Sequence, residues 1–363
     1  MKKIQLHFPP SFANLSFLST LPVVCPHLTH VTIHLDGVEY CPETRAAIST
    51  LFPALEALEC LVLAWNYEGN HDWTLDLGLL PKLMALDLTG PPKPVAWSST
   101  RLVAGSFPRL RDLKIRHVDI MSSIELFRSV DINLVKFHLA LFHHTTTPQM
   151  TELVHALTNV LAMSSLETLA LHPDFPIVPP HVMTADALRE FSVFCGLKSV
   201  HIAWSFGPDL DDATMNVLTA SWTHLTNLEL EQIDEEDNTN NTKLTLKSLL
   251  SLARNCPHLQ HFELTVDARE VPELPDVAPQ RILKSMDIAS SPIQSTLKVA
   301  RYLSGIFPNV KRIGPSDHSP EFRKYRKLWE QVLKQLPEFV AVRKELEKKF
   351  QRRMGSDGRH LVS

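Results

Sequence analysis

A six-place pattern, Leu-x-x-Leu-x-Leu, usually with a proline two positions ahead of its first place, recurs eleven times and constrains the fold more than any other feature of the chain. Its copies begin with "CPHLTHVTI" (Leu28, Val31, Ile33), "EALECLVL" (Leu58, Leu61, Leu63) and "LPKLMALDL" (Leu83, Leu86, Leu88). "FPRLRDLKI" (Leu110, Leu113, Ile115), "INLVKFHL" (Leu134, Phe137, Leu139), "MSSLETLAL" (Leu166, Leu169, Leu171) and "CGLKSVHI" (Leu197, Val200, Ile202) continue it. "WTHLTNLEL" (Leu225, Leu228, Leu230), "CPHLQHFEL" (Leu259, Phe262, Leu264), "RILKSMDI" (Leu283, Met286, Ile288) and a decayed "FPNVKRIG" (Val310, Ile313) complete it. Successive copies start 30, 25, 27, 24, 32, 31, 28, 34, 24 and 27 residues apart.

The last two apolar places are two apart, so on a strand they point to one face. The first lies three earlier, at the turn into that strand. Between copies stand stretches with helical apolar spacing, such as "TPQMTELVHALTNVLAM", "DDATMNVLTASWTH" and "LTLKSLLSLARNCPH". Each unit is therefore one short strand and one helix or helical turn. Its three aliphatics contribute roughly 5–9 kcal/mol at ~1.5–3 kcal/mol each. Ordering some two dozen residues at about 1.5 kcal/mol each costs several times that, so a unit is stable only when stacked on its neighbours. Parallel strands with right-handed crossovers are the arrangement that stacks them.

The nearly repeated nonapeptides at Cys25 and Cys256 hold Cys and His at a spacing that raises the question of zinc. His30 and His34 have the same strand parity and lie about 13 Å apart, whereas zinc holds each nitrogen at about 2.0–2.1 Å. The reading is a repeated structural phrase, no metal, and cysteines in a corner slot that Phe52 and Phe107 fill elsewhere. No G-x-S-x-G elbow, H-E-x-x-H helix, phosphate loop or G-x-G-x-x-G occurs. His143-His144 reads as a loop, and "DEEDNTNN" as a solvated insertion without the closing Glu of a calcium hand. The chain is read as non-enzymatic and free of cofactors.

The repeat is the leucine-rich-repeat pattern, and its long irregular units resemble those of F-box leucine-rich-repeat proteins over residues 25–315. The stretch "WEQVLKQLPEFVAVRKE" is similar to the closing segment of many fungal, particularly basidiomycete, members. The resemblance implies an α/β fold, a leucine-rich-repeat solenoid curved into a horseshoe with parallel strands on the concave side, helices outside and a helical C-terminal cap. It also implies the substrate-recognition role of a cullin-RING (SCF-type) ubiquitin ligase, attached through an N-terminal F-box that docks on the ligase adaptor. The residues before the first repeat, "MKKIQLHFPPSFANLSFLSTLPVV", hold no such helical bundle. The alternative is a stand-alone scaffold or inhibitor with no link to a ligase. A GTPase-activating solenoid would need a catalytic rim residue, which nothing singles out.

The domain reading is a cap or leader at 1–24, a solenoid of about eleven units at 25–316, a helical cap at 317–350 and a disordered tail at 351–363. In the cap, Ser319-Pro320 starts a helix, Phe322, Tyr325, Trp329, Val332, Leu333 and Leu336 form its apolar stripe, and Pro337 opens a second segment. Outward strand positions predict a binding surface for a protein partner on the concave face. It is basic or histidine-rich in the middle (Lys114, Arg116, Lys136, His138, His201) and acidic later (Glu229, Glu231, Glu263, Asp287).

Charge agrees with a protein partner better than with nucleic acid. The net charge is −4, yet residues 321–353 carry 11 Lys/Arg against 5 Asp/Glu, which leaves residues 1–320 near −10. Five scattered cysteines suit a reducing compartment. No run suits a membrane span or signal peptide, so the expected location is cytoplasmic or nuclear.

Overall fold

The computed structural model describes residues 2–8, 16–35, 42–65, 77–90, 106–118, 120–129, 132–141, 146–161, 165–173, 182–206, 210–232, 242–273, 277–288, 291–314 and 323–357. The chain divides into two units, Met1–Gly207 and Pro208–Ser363.

In the first unit the strands β1 (Lys3–His7), β2 (His30–Leu35), β3 (Cys60–Trp65), β4 (Ala85–Thr89), β5 (Asp112–Val118), β6 (Lys136–Leu141) and β7 (Thr168–Pro173) form one parallel ladder in chain order. A two-residue strand, β8 (Val182–Met183), lies off the path and pairs with β9 (Ser199–Phe206), which follows β7 in the ladder. The register places the repeat residues in rows. Val31, Leu61, Leu86, Leu113, Phe137, Leu169 and Val200 are successive partners, as are Ile33, Leu63, Leu88, Ile115, Leu139, Leu171 and Ile202. All fourteen are buried. The helices α1 (Leu21–Val24), α2 (Pro42–Leu51), α3 (Ile120–Ser129), α4 (Thr147–Val160) and α5 (Ala185–Glu190) belong to the connections.

Two local devices recur from rung to rung. At the corner, the N–H of the first pattern residue donates to the carbonyl three residues earlier: Leu28 to Cys25, Leu58 to Leu55, Leu110 to Phe107 and Leu197 to Phe194. The corner of the second repeat thus belongs to Leu55. Phe52, assigned to it from the sequence, lies three residues further back in an identical turn, where Leu55 N–H donates to its carbonyl. At strand entry, one carbonyl of each rung accepts two consecutive N–H groups of the next. Thr29 takes Glu59 and Cys60, Glu59 takes Met84 and Ala85, Met84 takes Arg111 and Asp112, and Arg111 takes Val135 and Lys136. This hook satisfies backbone donors that the turn would otherwise bury unpaired.

The hook and the ladder both begin before the first recognised repeat. Lys2 carbonyl accepts from Thr29 and His30, and Ile4 and Leu6 stand in register with Val31 and Ile33. Residues 1–24, expected as a cap or leader, therefore contribute a strand of their own.

In the second unit β10 (Asn227–Gln232), β11 (His261–Leu264), β12 (Ser285–Asp287) and β13 (Arg312–Gly314) are parallel neighbours. The helices are α6 (Asp212–Ser221), α7 (Leu246–Asn255), α8 (Thr296–Ile306) and α9 (Arg323–Asp357). The three inner helices start on side-chain caps, Asp211, Thr245 and Ser295. Asp212 adds a rung-to-rung tie by accepting from Thr245 N–H at 2.8 Å and from the hydroxyls of Thr245 and Ser248. Corners reuse the same turn, with Trp222, Cys256 and Phe307 wholly buried at its head. Gln280 takes that place ahead of Leu283. Its amide Nε2 donates to Leu259 carbonyl at 2.7 Å and its Oε1 accepts from Leu283 N–H at 2.8 Å, so a polar residue is satisfied in an apolar slot. Both units are leucine-rich-repeat solenoids in which α/β repeats stack on a column of aliphatic side chains.

The C-terminal helix differs from its expected form. It runs unbroken through Pro337 to Asp357, so neither a second segment at Pro337 nor an unstructured stretch from 351 to 357 is present. Pro337 lies on the exposed side, where a missing backbone donor is tolerated beside water. Trp329, Val332 and Leu336 are buried against the unit, and Trp329 Nε1 donates to Ser291 carbonyl at 2.9 Å. The expected helix start at Ser319-Pro320 and the residue Phe322 lie outside the described residues.

Candidate functional site

Strand alternation leaves a second set of rows on the side away from the aliphatic column. In the first unit the middle row reads Gln5, Thr32, Val62, Asp87, Lys114, His138, Ala170 and His201, each the register partner of the next. These side chains are exposed or half-buried, except Ala170 at 4%. Lys114, His138 and His201 thus stand in the line expected from the sequence.

Two of the expected cations are already engaged. Arg116 Nη2 donates to both carboxylate oxygens of Asp87, at 3.2 and 3.0 Å. Lys136 Nζ is 4.0 Å from Asp112 Oδ2, its register partner on β5. The patch is consequently a mixed-charge lattice, with Lys114 as a cation in the row between Asp87 and His138. A bulge after Arg116 fixes that strand's end. His117 there has φ 58°, and its Nδ1–H donates to Gly90 carbonyl at 3.0 Å. A side chain at Gly90 would meet His117 carbonyl at 3.1 Å, so glycine permits the approach.

Histidines extend the patch. His172, on β7, stacks on His201 with ring centroids 5.9 Å apart. Burial pushes the His138 imidazole below its usual range; Asp112 opposes this, while Lys114, His172 and Lys136 reinforce it. His138 is thus mainly neutral at neutral pH and is available as both donor and acceptor. Asp112 and His172 were not among the residues picked from the sequence. Their parity alone could have found them, since Asp112 shares a row with Lys136 and His172 one with Arg116.

In the second unit, Glu229, Glu263 and Asp287 are successive register partners. Glu229 and Glu263 are half-buried on the outward side, and His261 Nε2 lies 4.0 Å from Glu229. Asp287 is only 7% exposed, so it keeps its place in the row but offers little surface. Glu231 continues β10, and its side chain lies outside those described.

Cys25 and Cys256 behave as corner residues. Cys256 is wholly buried with its Sγ 3.6 Å from Trp222 carbonyl, and burial pushes its thiol up to about 12. Cys25 is half-buried at the equivalent turn. His143, His144 and the acidic insertion after β10 lie outside the described residues.

No family model matches the chain, and no curated protein sequence matches it. Among solved structures it is similar to the yeast complex of Rad7 and Elc1, with 16% identity and a TM-score of 0.38, over 86% of this chain and 75% of that one. The leucine-rich-repeat-containing protein LegL7 from Legionella pneumophila is 13% identical with a TM-score of 0.37, over 92% and 90%. A chain of the Drosophila Toll–Spatzle complex is 15% identical with a TM-score of 0.39. That match covers 89% of this chain and 47% of the other, so the chain spans about half its length.

Proposed function

We propose that the chain is a non-enzymatic binding module that captures a protein partner on the outward strand rows, in the manner of the substrate-recognition part of an SCF-type ubiquitin ligase. One observation carries the reading. Glu229 and Glu263 are direct register partners, with Asp287 following. Carboxylates on adjacent strands about 4.8 Å apart repel one another and weaken the sheet. A cationic segment laid across the row is attracted by more than one of these carboxylates at once. The first unit's patch, with Lys114, His138 and His201 in one row and His172 stacked on His201, is the complementary kind of surface and suits an acidic segment.

The reading includes a cytoplasmic or nuclear location, with which the unpaired thiols of Cys25, Cys60, Cys195 and Cys256 accord. Attachment to the ligase adaptor through an F-box is its finer form, and a scaffold that occupies its partner is the alternative. Affinity capture from native extract, with mass spectrometry of bound proteins, tests both levels. Wild-type protein should recover a partner set that Glu229→Lys with Glu263→Lys loses while the circular dichroism spectrum is unchanged. An identical set from the variant would remove the acidic row from binding. Recovery of adaptor and cullin supports the ligase form, and a partner set without them supports the scaffold.

A further inference from the structure

We infer that the cleft between α8 and the C-terminal helix α9 is a binding site for a small phosphomonoester. The cleft holds about 340 Å³, at the lower end of the ~300–1,000 Å³ typical of small-molecule sites. Three cations line it: Arg281 from the segment before β12, and Arg343 and Lys344 from α9. Glu347 is the single carboxylate among the lining residues, so the wall carries a net charge of two positives. Val277 and Val340 give it an apolar side, which suits an organic group attached to the anion. None of the three cations makes an ion pair among the described residues.

Arg343 is the pre-set element. Its Nε donates to Ser304 Oγ at 2.9 Å and its Nη2 to Arg301 carbonyl at 3.2 Å, which fixes the guanidinium plane. Burial and the neighbouring Arg301 both disfavour its charge, against a pull from Glu347. A half-buried cation set beside another cation, without a salt bridge among the described residues, is stabilised by an anion that enters the cleft. Guanidinium groups bind phosphoryl oxygens through paired N–H donors. The dianion of a phosphomonoester matches the net charge of the wall, which a monocarboxylate does not. The charged groups around the site are Arg281, Arg301, Arg343, Lys344 and Glu347, and none of these residue types titrates near neutrality. Binding should therefore weaken as pH falls through the ligand's own second pKa, at about 6, where the dianion takes up a proton.

The site is independent of the strand rows, and its test does not require a protein partner. Isothermal titration of the full chain at fixed ionic strength would use glycerol 1-phosphate, inorganic phosphate and glycerol. One-to-one binding of glycerol 1-phosphate is expected, with weaker binding of inorganic phosphate and none of glycerol. Arg281 and Lys344 are exposed, so Arg281→Gln and Lys344→Gln leave folding intact, and each should weaken binding about tenfold. The exposed Lys247→Gln on α7 should leave it unchanged. Absence of saturable heat, or equal losses from Lys247→Gln and Arg281→Gln, would overturn the site.

Discussion

Leu113 and Lys114 are adjacent on β5 and face opposite ways, which allows the repeat to be tested within one dipeptide. Leu113 is 4% exposed and stands in register between Leu86 and Phe137, both buried. Leu113→Ala removes three carbons, worth about 2.4 kcal/mol of transfer at ~0.8 kcal/mol each. The unfilled space raises the cost within the ~2–5 kcal/mol seen for such changes, and about 3 kcal/mol is expected because strands on both sides restrict collapse. Lys114→Gln removes a charge from the outward row and should stay within about 0.5 kcal/mol. With a urea m-value of about 2–3 kcal/mol/M, the Leu113 change moves the midpoint of the first unit's unfolding down by about 1–1.5 M and the Lys114 change by about 0.2 M. Circular dichroism through a urea series reads both. If the two variants shift equally, or if Leu113→Ala shifts by less than about 0.3 M, the alternation of column and face is wrong.

Three further outcomes follow from particular side chains. His138 has a folded pKa below its unfolded value of about 6.5, so the unfolded chain binds its proton first. Its contribution is complete above that pH and is lost as pH falls through the lowered folded value; a proton NMR titration midpoint at or above 6.5 would contradict this. Cys256, buried and with its thiol at about 12, should resist iodoacetamide at pH 8 until the chain unfolds, while the exposed Cys195 reacts in the native state; peptide mass spectrometry distinguishes them. Trp329→Phe removes the donor to Ser291 carbonyl at a buried site and should destabilise the second unit by about 1–3 kcal/mol in urea unfolding.

The aliphatic column was legible because each rung repeats the same residue types at the same places, and register does the rest. β1 escaped notice although Ile4 and Leu6 precede Val31 and Ile33 by 27 positions, a spacing inside the repeat's range. The first place of its pattern is filled by Met1 where the other copies carry leucine or valine, so one of its marks was missing. The continuous α9 escaped because proline ordinarily ends a helix. That rule yields where the lost bond faces water, and Pro337 is exposed. The engagement of Arg116 was hidden for another reason. Its register partner is Thr89, and its carboxylate partner Asp87 sits two residues away on the same strand. A long side chain reaches diagonally, and residue identity does not say which acid it will choose. Asp287 escaped because parity predicts direction, while burial depends on what the neighbouring segments cover.

In a parallel sheet whose repeats are in register, alternate residues answer to different demands. The inward places must fill one apolar column, so they remain Val, Leu or Phe from Val31 to Val200. The outward places are free of that demand, so their charge changes from strand to strand. The middle row passes from Val62 to Asp87, Lys114 and His138 over the four strands β3 to β6 while the buried neighbours remain aliphatic or aromatic. Packing and surface charge are thereby written on separate residues of the same strand. A substitution on the face changes surface charge at little cost to the column, whereas one in the column removes packing that both neighbouring rungs share. Like charges in adjacent outward places, as at Glu229 and Glu263, are a feature that packing of the column does not require.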